Sequence, residues 1–391
     1  MHIDYTPQQK AMREEIRTYF ADLLPAETQQ LIATETDYRI AHAVVRQMGE
    51  DGWLGVGWPR EVGGGGFSAI EQQMFVDEAK QVNAPMPFVT LNTVGPCLMD
   101  FGSEPHKEEF LPAILKGQVH FAIGYTEPGA GTDLAALSTR AELDGDHFVI
   151  NGNKIFTTSA EEADYIWLAV RTDPDAPKHK GISILIVPTS DPGFSCSPIH
   201  ILDGHKTYFS HYDNIRVHRS QLVGELNQGW KLITNQLNHE RVGLGAMALS
   251  ALRLLDEVVA YAREPRGVDG TRLIDEPWVN SNLAEAQALL AAMKLMNWRM
   301  AWDADRAPLQ PAPASAVKVF CSENTVRVLQ LLLEVVGSEG LLEQGSPGAV
   351  LQGKLDREYK SVTVLTFGGG VNEVQRELIA MFGLGMPRPV R

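Results

Sequence analysis

The sequence predicts an α+β chain in which a helical N-terminal region, a β-rich centre and a helical C-terminal region follow one another. Helical patterning dominates up to about Gly117 and resumes at Trp230. Between them the pattern changes to short apolar runs separated by glycine, proline and aspartate, which is typical of strands and turns. We therefore predict three domains: residues 1–118, 119–226 and 227–391.

The N-terminal region opens with Pro7–Arg17, where a proline near the start is followed by strong helix formers. The helical pattern is interrupted at Gly63–Gly66, which we interpret as a flexible loop. A phosphate-binding loop is a sharper interpretation of the same glycines, but no strand clearly precedes them.

The central region carries two continuous apolar runs, Tyr165–Val170 and Ile182–Val187, which predict buried strands. Asp144–Asp146, with glycine in the middle, predicts a hairpin turn. After Trp230 the apolar residues recur at helical spacing, as in Leu289–Met296, and predict a helical bundle. A proline- and alanine-rich stretch at 307–314 predicts a loop between two of its helices.

Composition limits the classes of function. The chain has 391 residues and is 44% hydrophobic, enough for a sizeable core. No apolar run approaches the ~20 residues of a membrane span, and Met1–Tyr5 lack the pattern of a signal peptide, so we expect a cytoplasmic protein. A net charge of −15 argues against nucleic acid as a general partner, although a few local cations are enough to hold one nucleotide.

The cysteines Cys97, Cys196 and Cys321 are few and widely spaced. Their number and spacing predict neither a disulfide framework nor a metal site, and we expect all three to be reduced.

Two segments far apart in the chain carry the strongest chemical signal. Tyr125–Asp133 places two glycines and a proline among hydroxyl and carboxyl groups, so its backbone can approach a flat polar ligand closely. In the second segment Glu240 shares a helix face with Leu237 and Leu244. A carboxylate on an apolar face is partly desolvated and more basic, as a catalytic base requires.

These segments resemble signatures of the acyl-CoA dehydrogenase family, and three further stretches match that family in the same order. The matching stretches are Thr126–Asp133, Asn151–Thr158, Gly224–Trp230, Glu240–Arg241 and Thr366–Arg376. Similarity in this order covers nearly the whole chain. The resemblance implies an N-terminal helical domain, a central β-domain and a C-terminal four-helix bundle, with FAD as the cofactor.

The resemblance also implies a reaction: a carboxylate removes the α-proton of an acyl thioester while the β-hydrogen leaves as hydride to the flavin. Many members carry the carboxylate in the late loop, but the matching position here is Gly369. Other members, the isovaleryl and long-chain types, carry it just before an arginine on the first bundle helix. Glu240 is therefore the expected base and Arg241 a substrate-binding residue, the alternative being an ordinary helix glutamate paired with Arg241.

The family's flavin-contacting positions are occupied here by residues of two segments. They are Tyr125, Thr126, Gly131, Thr132, Phe156 and Thr158. Phe156 replaces a common tryptophan, and its aromatic face can still pack against a ring. A structural turn is the alternative interpretation of the first segment.

In the family a second set of groups reaches the FAD of the neighbouring subunit. Arg266 is retained in that set, but Glu334 replaces a glutamine, and a glutamate near a pyrophosphate is electrostatically unfavourable. The pattern is similar to the base-bearing subunit of heteromeric α2β2 dehydrogenases of bacterial steroid side-chain degradation. This resemblance implies a homologous partner subunit, a cholesterol-type or bile-acid-type CoA thioester as substrate and electron-transferring flavoprotein as acceptor.

Two other functions remain open from the sequence. One is an acyl-CoA oxidase or flavin monooxygenase of the same fold, and the other is a structural subunit whose partner owns the active site. The small residues Gly243, Gly245 and Ala246 are compatible with room for a bulky acyl group and equally with close helix packing.

Overall fold

A computed structural model describes residues 4–35, 37–237, 251–266, 269–307 and 309–388, with side chains at all of these except 33 and 34. The N-terminal helices are α1 (Pro7–Leu23), α2 (Ala26–Thr34), α3 (Arg39–Glu50), α4 (Ala69–Gln81), α5 (Gly95–Phe101) and α6 (Glu104–Leu115). Thr6 caps α1 reciprocally with Gln9, which satisfies backbone N–H groups at its start. A π-helical turn, Thr90–Val94, leads into α5.

The glycine run does not form the flexible loop that we expected. Gly63 turns the chain at φ 91°, and Gly64 and Gly65 then donate to Pro59 O and Gly55 O at 3.0 and 2.8 Å. A Cβ at Gly64 would lie 2.3 Å from Trp58 O, so the backbone itself is tightly packed. Glycine is required here because a side chain would prevent the close packing of the backbone. The prediction of flexibility was therefore wrong. Amides bonded in this way are also not free to bind phosphate.

The central domain is an eight-stranded sheet. Its strands are β1 (Phe121–Gly124), β2 (Arg140–Asp144), β3 (His147–Lys154), β4 (Tyr165–Arg171), β5 (Ile182–Pro188), β6 (Phe194–His200), β7 (Lys206–His218) and β8 (Leu222–Val223). Their order is β6-β7-β3-β2-β4-β5-β8, with β1 pairing in parallel with β4. The predicted hairpin is confirmed, since Asp144 pairs with His147 across a turn in which Gly145 has φ 61°.

Both faces of β4 are buried, which explains its continuous apolar run. Trp167 and Ala169 pack with the N-terminal helices, whereas Ile166 and Leu168 join a second cluster on the other face. A strand covered on both sides has no polar alternation.

The C-terminal region is helical. Residues 229–237 form α7 as far as it is described, and the later helices are α8 (Ala251–Arg263), α9 (Pro277–Ala304), α10 (Pro311–Val336), α11 (Lys354–Val362) and α12 (Asn372–Leu378). α10 packs against α8, α9, α11 and α12, and it buries side chains around most of its circumference. The predicted proline-rich loop joins α9 to α10, although α10 already begins at Pro311. The bundle touches the N-terminal domain through α4 and α9.

Candidate active site

The loop that follows β1, residues 125–133, is held to the sheet by a buried ion pair. Lys154 Nζ, at the end of β3, lies 2.8 Å from Glu127 Oε1 and donates to Tyr125 O at 3.0 Å. The two charged side chains are only 0% and 6% exposed. Buried charges are tolerated when they are paired and hydrogen-bonded, so each depends on the other.

Glu127 has further donors around it. Ser138 N and Oγ each lie 2.7 Å from Oε2, and Thr139 N lies 2.8 Å from Oε1. Burial alone would raise the pKa of Glu127, but the Lys154 charge and these donors outweigh it and lower the pKa to about 2. Burial lowers the pKa of Lys154 to about 8, against the opposing effect of Glu127. Both groups are therefore charged at neutral pH, and the loop is fixed.

The pair predicts an acid-sensitive contribution to stability. Because the folded-state pKa of Glu127 is below its ordinary value of 4.5, its ionised form is stabilised by folding, fully above pH 4.5 and progressively less as the pH falls to about 2. The contribution is on the order of 3 kcal/mol. Denaturant unfolding between pH 2 and pH 6 should show this loss in the wild type, and the slope should flatten in Glu127→Gln/Lys154→Met. Equal slopes would contradict the prediction.

Tyr125 is turned into the protein. Its side chain is 7% exposed, Trp167 Nε1 donates to its hydroxyl at 3.1 Å, and the hydroxyl donates to Gln236 Oε1 in α7. The residue thus joins the sheet to the start of the bundle. Its side chain positions the loop from within the protein.

The other predicted cofactor residues lie on two adjoining loops. Ile155 N donates to Thr126 O at 2.8 Å, which joins the loop after β1 to the loop after β3. On this surface Thr126 is half-buried, and the exposed residues are Gly131, Thr132, Phe156 and Thr158. Thr158 Oγ1 lies 3.2 Å from Thr207 Oγ1 in β7.

This surface fits a flat aromatic ligand. Phe156 has φ 59°, a backbone conformation that a bulky residue adopts only at a cost, and the residue is 59% exposed. A Cβ built on Gly129 or Gly131 meets no atom within 4 Å, so the space above the loop is open. Hydroxyls and backbone amides around an exposed ring suit the polar edges and apolar faces of a flavin. The residues present therefore fit FAD, and Thr126, Gly131, Thr132, Phe156 and Thr158 are the ones that would hold it.

Substitutions of Phe156 separate an effect on the stability of the protein from an effect on its affinity for the cofactor. We expect Phe156→Gly to raise the stability of the flavin-free protein by about 1 kcal/mol, since glycine adopts φ 59° without strain, and to weaken FAD binding at least tenfold. Phe156→Ala keeps the strain and should show only the weaker binding. Denaturant unfolding and fluorescence titration with FAD measure the two effects. A glycine variant that binds FAD as tightly as the wild type would exclude the ring from the site.

The predicted base and substrate residue, Glu240 and Arg241, lie outside the described residues. The preceding helix α7 is anchored, because Cys97 Sγ in α5 lies 3.7 Å from Asn235 Oδ1 and Leu237 packs on the N-terminal core.

Cys97 and Cys321 are buried free thiols, and burial raises the pKa of each to about 12.

The late loop is built from glycines braced by a buried lysine. Gly369 and Gly370 have φ 65° and 97°. Lys318, 1% exposed, donates to Gly370 O and to Asn372 Oδ1, both at 2.7 Å. The loop therefore has a defined shape although no acid stands at position 369.

Arg266 belongs to a separate cluster in the bundle. Its guanidinium carbon lies 3.7 Å from the centroid of the Tyr261 ring, and Nη1 lies 3.8 Å from Glu339 Oε2. The Tyr261 hydroxyl donates to the same carboxylate at 2.8 Å. Within this chain, Arg266 is thus stacked and partly neutralised.

The sequence analysis did not identify the buried polar residues that support the site. Three of them are charged, Glu127, Lys154 and Lys318, and the fourth is Gln236, which is 0% exposed. Glu127 and Lys154 stand inside the quoted motifs, yet nothing in their local pattern indicates burial. Their distance along the chain, 27 residues, conceals the pairing.

Comparison with known proteins identifies the family of the chain. Three domain profiles of the acyl-CoA dehydrogenase family match the chain: the N-terminal domain over residues 6–118, the middle domain over 122–214 and the C-terminal domain over 227–384. The chain belongs to the acyl-CoA dehydrogenase family. The predicted fold class is thereby confirmed, the family is one of oxidoreductases, and its cofactor is FAD.

Relatives match over the full length. Acyl-CoA dehydrogenases FadE26 and FadE29 of Mycobacterium tuberculosis are 48% and 50% identical, with 100% of each chain covered. Among solved structures, the Tcur3481–Tcur3483 steroid ACAD matches at 49% identity with a TM-score of 0.93, covering 100% of both chains. The ChsE4–ChsE5 complex from Mycobacterium tuberculosis matches at 48% identity, with the same TM-score and the same coverage.

Among the described residues, no helix combines the length and apolar content that a membrane span requires.

Proposed function

We propose that this acyl-CoA dehydrogenase oxidises the α,β-bond of a steroid side-chain CoA thioester, of the cholesterol or bile-acid type. The observation that carries the proposal is the full-length match, at 49% identity, to a protein described as a steroid ACAD. The surface formed by half-buried Thr126 and exposed Gly131 and Phe156 supports it, because a flavin-dependent reaction requires a surface that can hold the flavin.

In the proposed reaction Glu240 takes the α-proton of the thioester, and Arg241 contacts the substrate. FAD, when bound, supplies the acceptor for the hydride that leaves the β-carbon. Gly369 of the late loop carries no side chain and cannot act as the base, so the proposal assigns removal of the α-proton to Glu240. The fixed loop at 125–133 keeps the cofactor surface in place while the substrate is positioned for both transfers.

We further propose that the chain acts with a homologous subunit in an α2β2 assembly. The match to the ChsE4–ChsE5 complex supports this proposal. The contacts of the Arg266 guanidinium within this chain also support it. A guanidinium stacked on Tyr261 and facing Glu339 is poorly suited to hold a pyrophosphate of a neighbouring subunit. The partner would then supply the second half of the cofactor site. Electron-transferring flavoprotein is the proposed acceptor.

The visible spectrum of the chain, purified alone and with its co-expressed partner, tests the proposal. We expect little flavin alone, a flavin spectrum in the complex, and bleaching on anaerobic addition of a steroid side-chain CoA thioester. A tightly flavinated homotetramer would exclude the need for a second subunit. A flavinated complex that stays oxidised with steroid thioesters would exclude the proposed substrate.

The same preparation separates the two alternatives. Reduced flavin that reoxidises quickly in air would favour an oxidase or monooxygenase, whereas slow reoxidation favours the dehydrogenase. A purely structural subunit is disfavoured by the strained, exposed Phe156. A scaffold gains nothing from this strain.

A further inference from the structure

The segment that carries Phe156 and Thr158 also contacts the N-terminal domain. After these two residues the chain continues through 159–164 to the start of β4, and on the way it meets helix α3 and the residue that precedes β1. The contact, which we call the histidine junction, is made by four residues: Ser159, Glu162, His42 and His120. The junction therefore begins directly after the candidate cofactor residues.

Hydrogen bonds lead from the cofactor surface to α3. The side chain of Ser159, the residue after Thr158, bonds to the carboxylate of Glu162, and Glu162 N donates to Ser159 O at 3.2 Å. Glu162 Oε2 in turn lies 3.2 Å from His42 Nε2, and both side chains of this pair are about four-fifths buried. Burial alone would raise the pKa of Glu162, but the bonds from His42 and Ser159 outweigh it and lower the pKa below its ordinary value of 4.5. An ionised carboxylate thus joins Ser159 to the N-terminal domain.

Two imidazole rings are stacked at the junction. The ring centroids of His42 and His120 lie 4.3 Å apart, and their planes are inclined by 10°. His120 is fixed through its backbone, since His120 N donates to Asp164 Oδ2 at 2.8 Å and Asp164 N donates to His120 O at 2.9 Å. The ring centroid of Tyr38, at the start of α3, lies 6.4 Å from that of His42. His42 is therefore held both by stacking and by its bond to Glu162.

The segment needs anchors because its backbone is strained. Phe156 and Ser159 have φ values of 59° and 63°, which residues with a side chain adopt only at a cost. Between them Thr157 is fixed to β7, since Thr157 N donates to Tyr208 O at 3.0 Å. The junction holds Ser159, the next fixed point along the chain. Together these two anchors determine where Thr158 lies.

We propose that His42 and Glu162 are positioning residues for FAD: they hold Ser159 and thereby Thr158, and a second proton on the stacked rings weakens FAD binding. This inference rests on the proposed cofactor surface and is independent of the acyl group that the enzyme oxidises. It assigns a function in cofactor binding to α3, a helix outside the motifs that predicted the site.

Protons on the two rings act in opposite directions. A proton on His42 strengthens its bond to Glu162, whereas a further proton on His120 places two cations 4.3 Å apart. Burial lowers the pKa of His120 below its ordinary value of 6.5, and the neighbouring His42 lowers it further. Asp164 and Glu162 act against this shift, and Arg46 of α3 acts with it. Because folding favours neutral His120, the junction is fully formed above pH 6.5 and weakens as the pH falls below that value.

The first test measures how fast FAD leaves the flavin-containing complex, from the rise in flavin fluorescence after dilution. His42→Phe keeps a ring for stacking but removes the donor to Glu162, so we expect FAD to dissociate about fivefold faster, the equivalent of one hydrogen bond. His42→Gln restores a donor and should recover part of the difference. Arg39→Gln removes an exposed ion pair at the start of the same helix and should leave the rate unchanged.

The pH dependence distinguishes positioning from a general loss of stability. In the wild type we expect FAD to dissociate faster as the pH falls below 6.5, because His120 takes up a proton beside His42. His120→Phe keeps a stacked ring that cannot be protonated. Since His120 Nε2 is buried without a hydrogen-bond partner among the described residues, phenylalanine loses no bond at that atom. The profile should be flatter in His120→Phe and like the wild type in Arg39→Gln.

Hydrogen exchange of the amides in residues 155–164 measures the anchoring of the segment directly. Exchange should be faster in His42→Phe than in the wild type. Should that variant fail to fold, Glu162→Gln, which keeps an acceptor oxygen but removes the charge, should still speed both exchange and FAD dissociation. Faster exchange with unchanged FAD dissociation would overturn the inference, and so would equal pH profiles in the wild type and His120→Phe.

The outcomes are distinguishable from those of the proposed function. A flavin-containing complex that no steroid thioester bleaches would exclude the proposed substrate, whereas faster FAD dissociation from its His42→Phe variant would still support the junction. A complex that is bleached as expected, but loses FAD at the same rate in His42→Phe and Glu162→Gln as in the wild type, would overturn the inference alone.

Discussion

Glu240→Gln should abolish turnover of the flavin-containing complex while flavin content stays at the wild-type level. Glutamine preserves the volume of the side chain but cannot accept the α-proton, and loss of a general base costs about 100- to 10,000-fold. Anaerobic bleaching of the flavin by a steroid side-chain CoA thioester measures the effect on the chemical step, and the absorbance before addition measures the flavin bound.

Two further variants make this result specific. Glu240→Asp keeps a carboxylate but withdraws it by one carbon, so we expect a partial loss, because proton transfer depends on close approach. Glu285→Gln removes an exposed glutamate of α9 that pairs with Arg327, and it should have wild-type activity. Substantial bleaching in Glu240→Gln would remove Glu240 from the role of base, whatever the substrate.

Lys154→Met should produce the largest loss of stability. It removes the partner of Glu127 inside the protein, and leaving a buried charge unpaired costs about 3 to 5 kcal/mol. Because Lys154 also holds Tyr125 O, the loop 125–133 should loosen and FAD binding should fall with stability. Denaturant unfolding and flavin absorbance of the co-purified complex are the measurements.

The double variant Glu127→Gln/Lys154→Met is the matched control. It removes both charges, so we expect it to be more stable than Lys154→Met alone, although Glu127 has further donors that glutamine satisfies only in part. Removal of the exposed pair of Lys107 and Glu104 should cost less than about 1 kcal/mol. A Lys154→Met variant as stable as the wild type would show that the pair does not secure the loop.

Much of the fold could be predicted because its signals are local. The hairpin at Asp144–Asp146 and the apolar strand Tyr165–Val170 follow from residue types within a few positions of one another. The start of α1 likewise depends on a proline and on helix formers that are adjacent in the chain. The candidate cofactor loops could be proposed from the sequence for the same reason, since each is a short contiguous motif.

The parts that escaped prediction depend on partners distant in the chain. Gly63–Gly66 has the composition of a flexible loop, and its close packing is evident only from the approach of Trp58 O. Tyr125 stands in a cofactor motif, but its side chain is directed inward by Trp167 and Gln236. Side-chain direction at a loop depends on what the rest of the chain places beside it.

The sequence by itself determined the order of helical and β regions, the absence of an acid at position 369 and the presence of Glu240 before an arginine. Tertiary structure alone decided that Lys154 and Glu127 meet and that Arg266 faces Glu339. Residue type and spacing specify local backbone preference and chemical capacity. Burial and the partners of a charge arise only when distant segments pack together, and these decide which of the chemical capacities the folded protein can use.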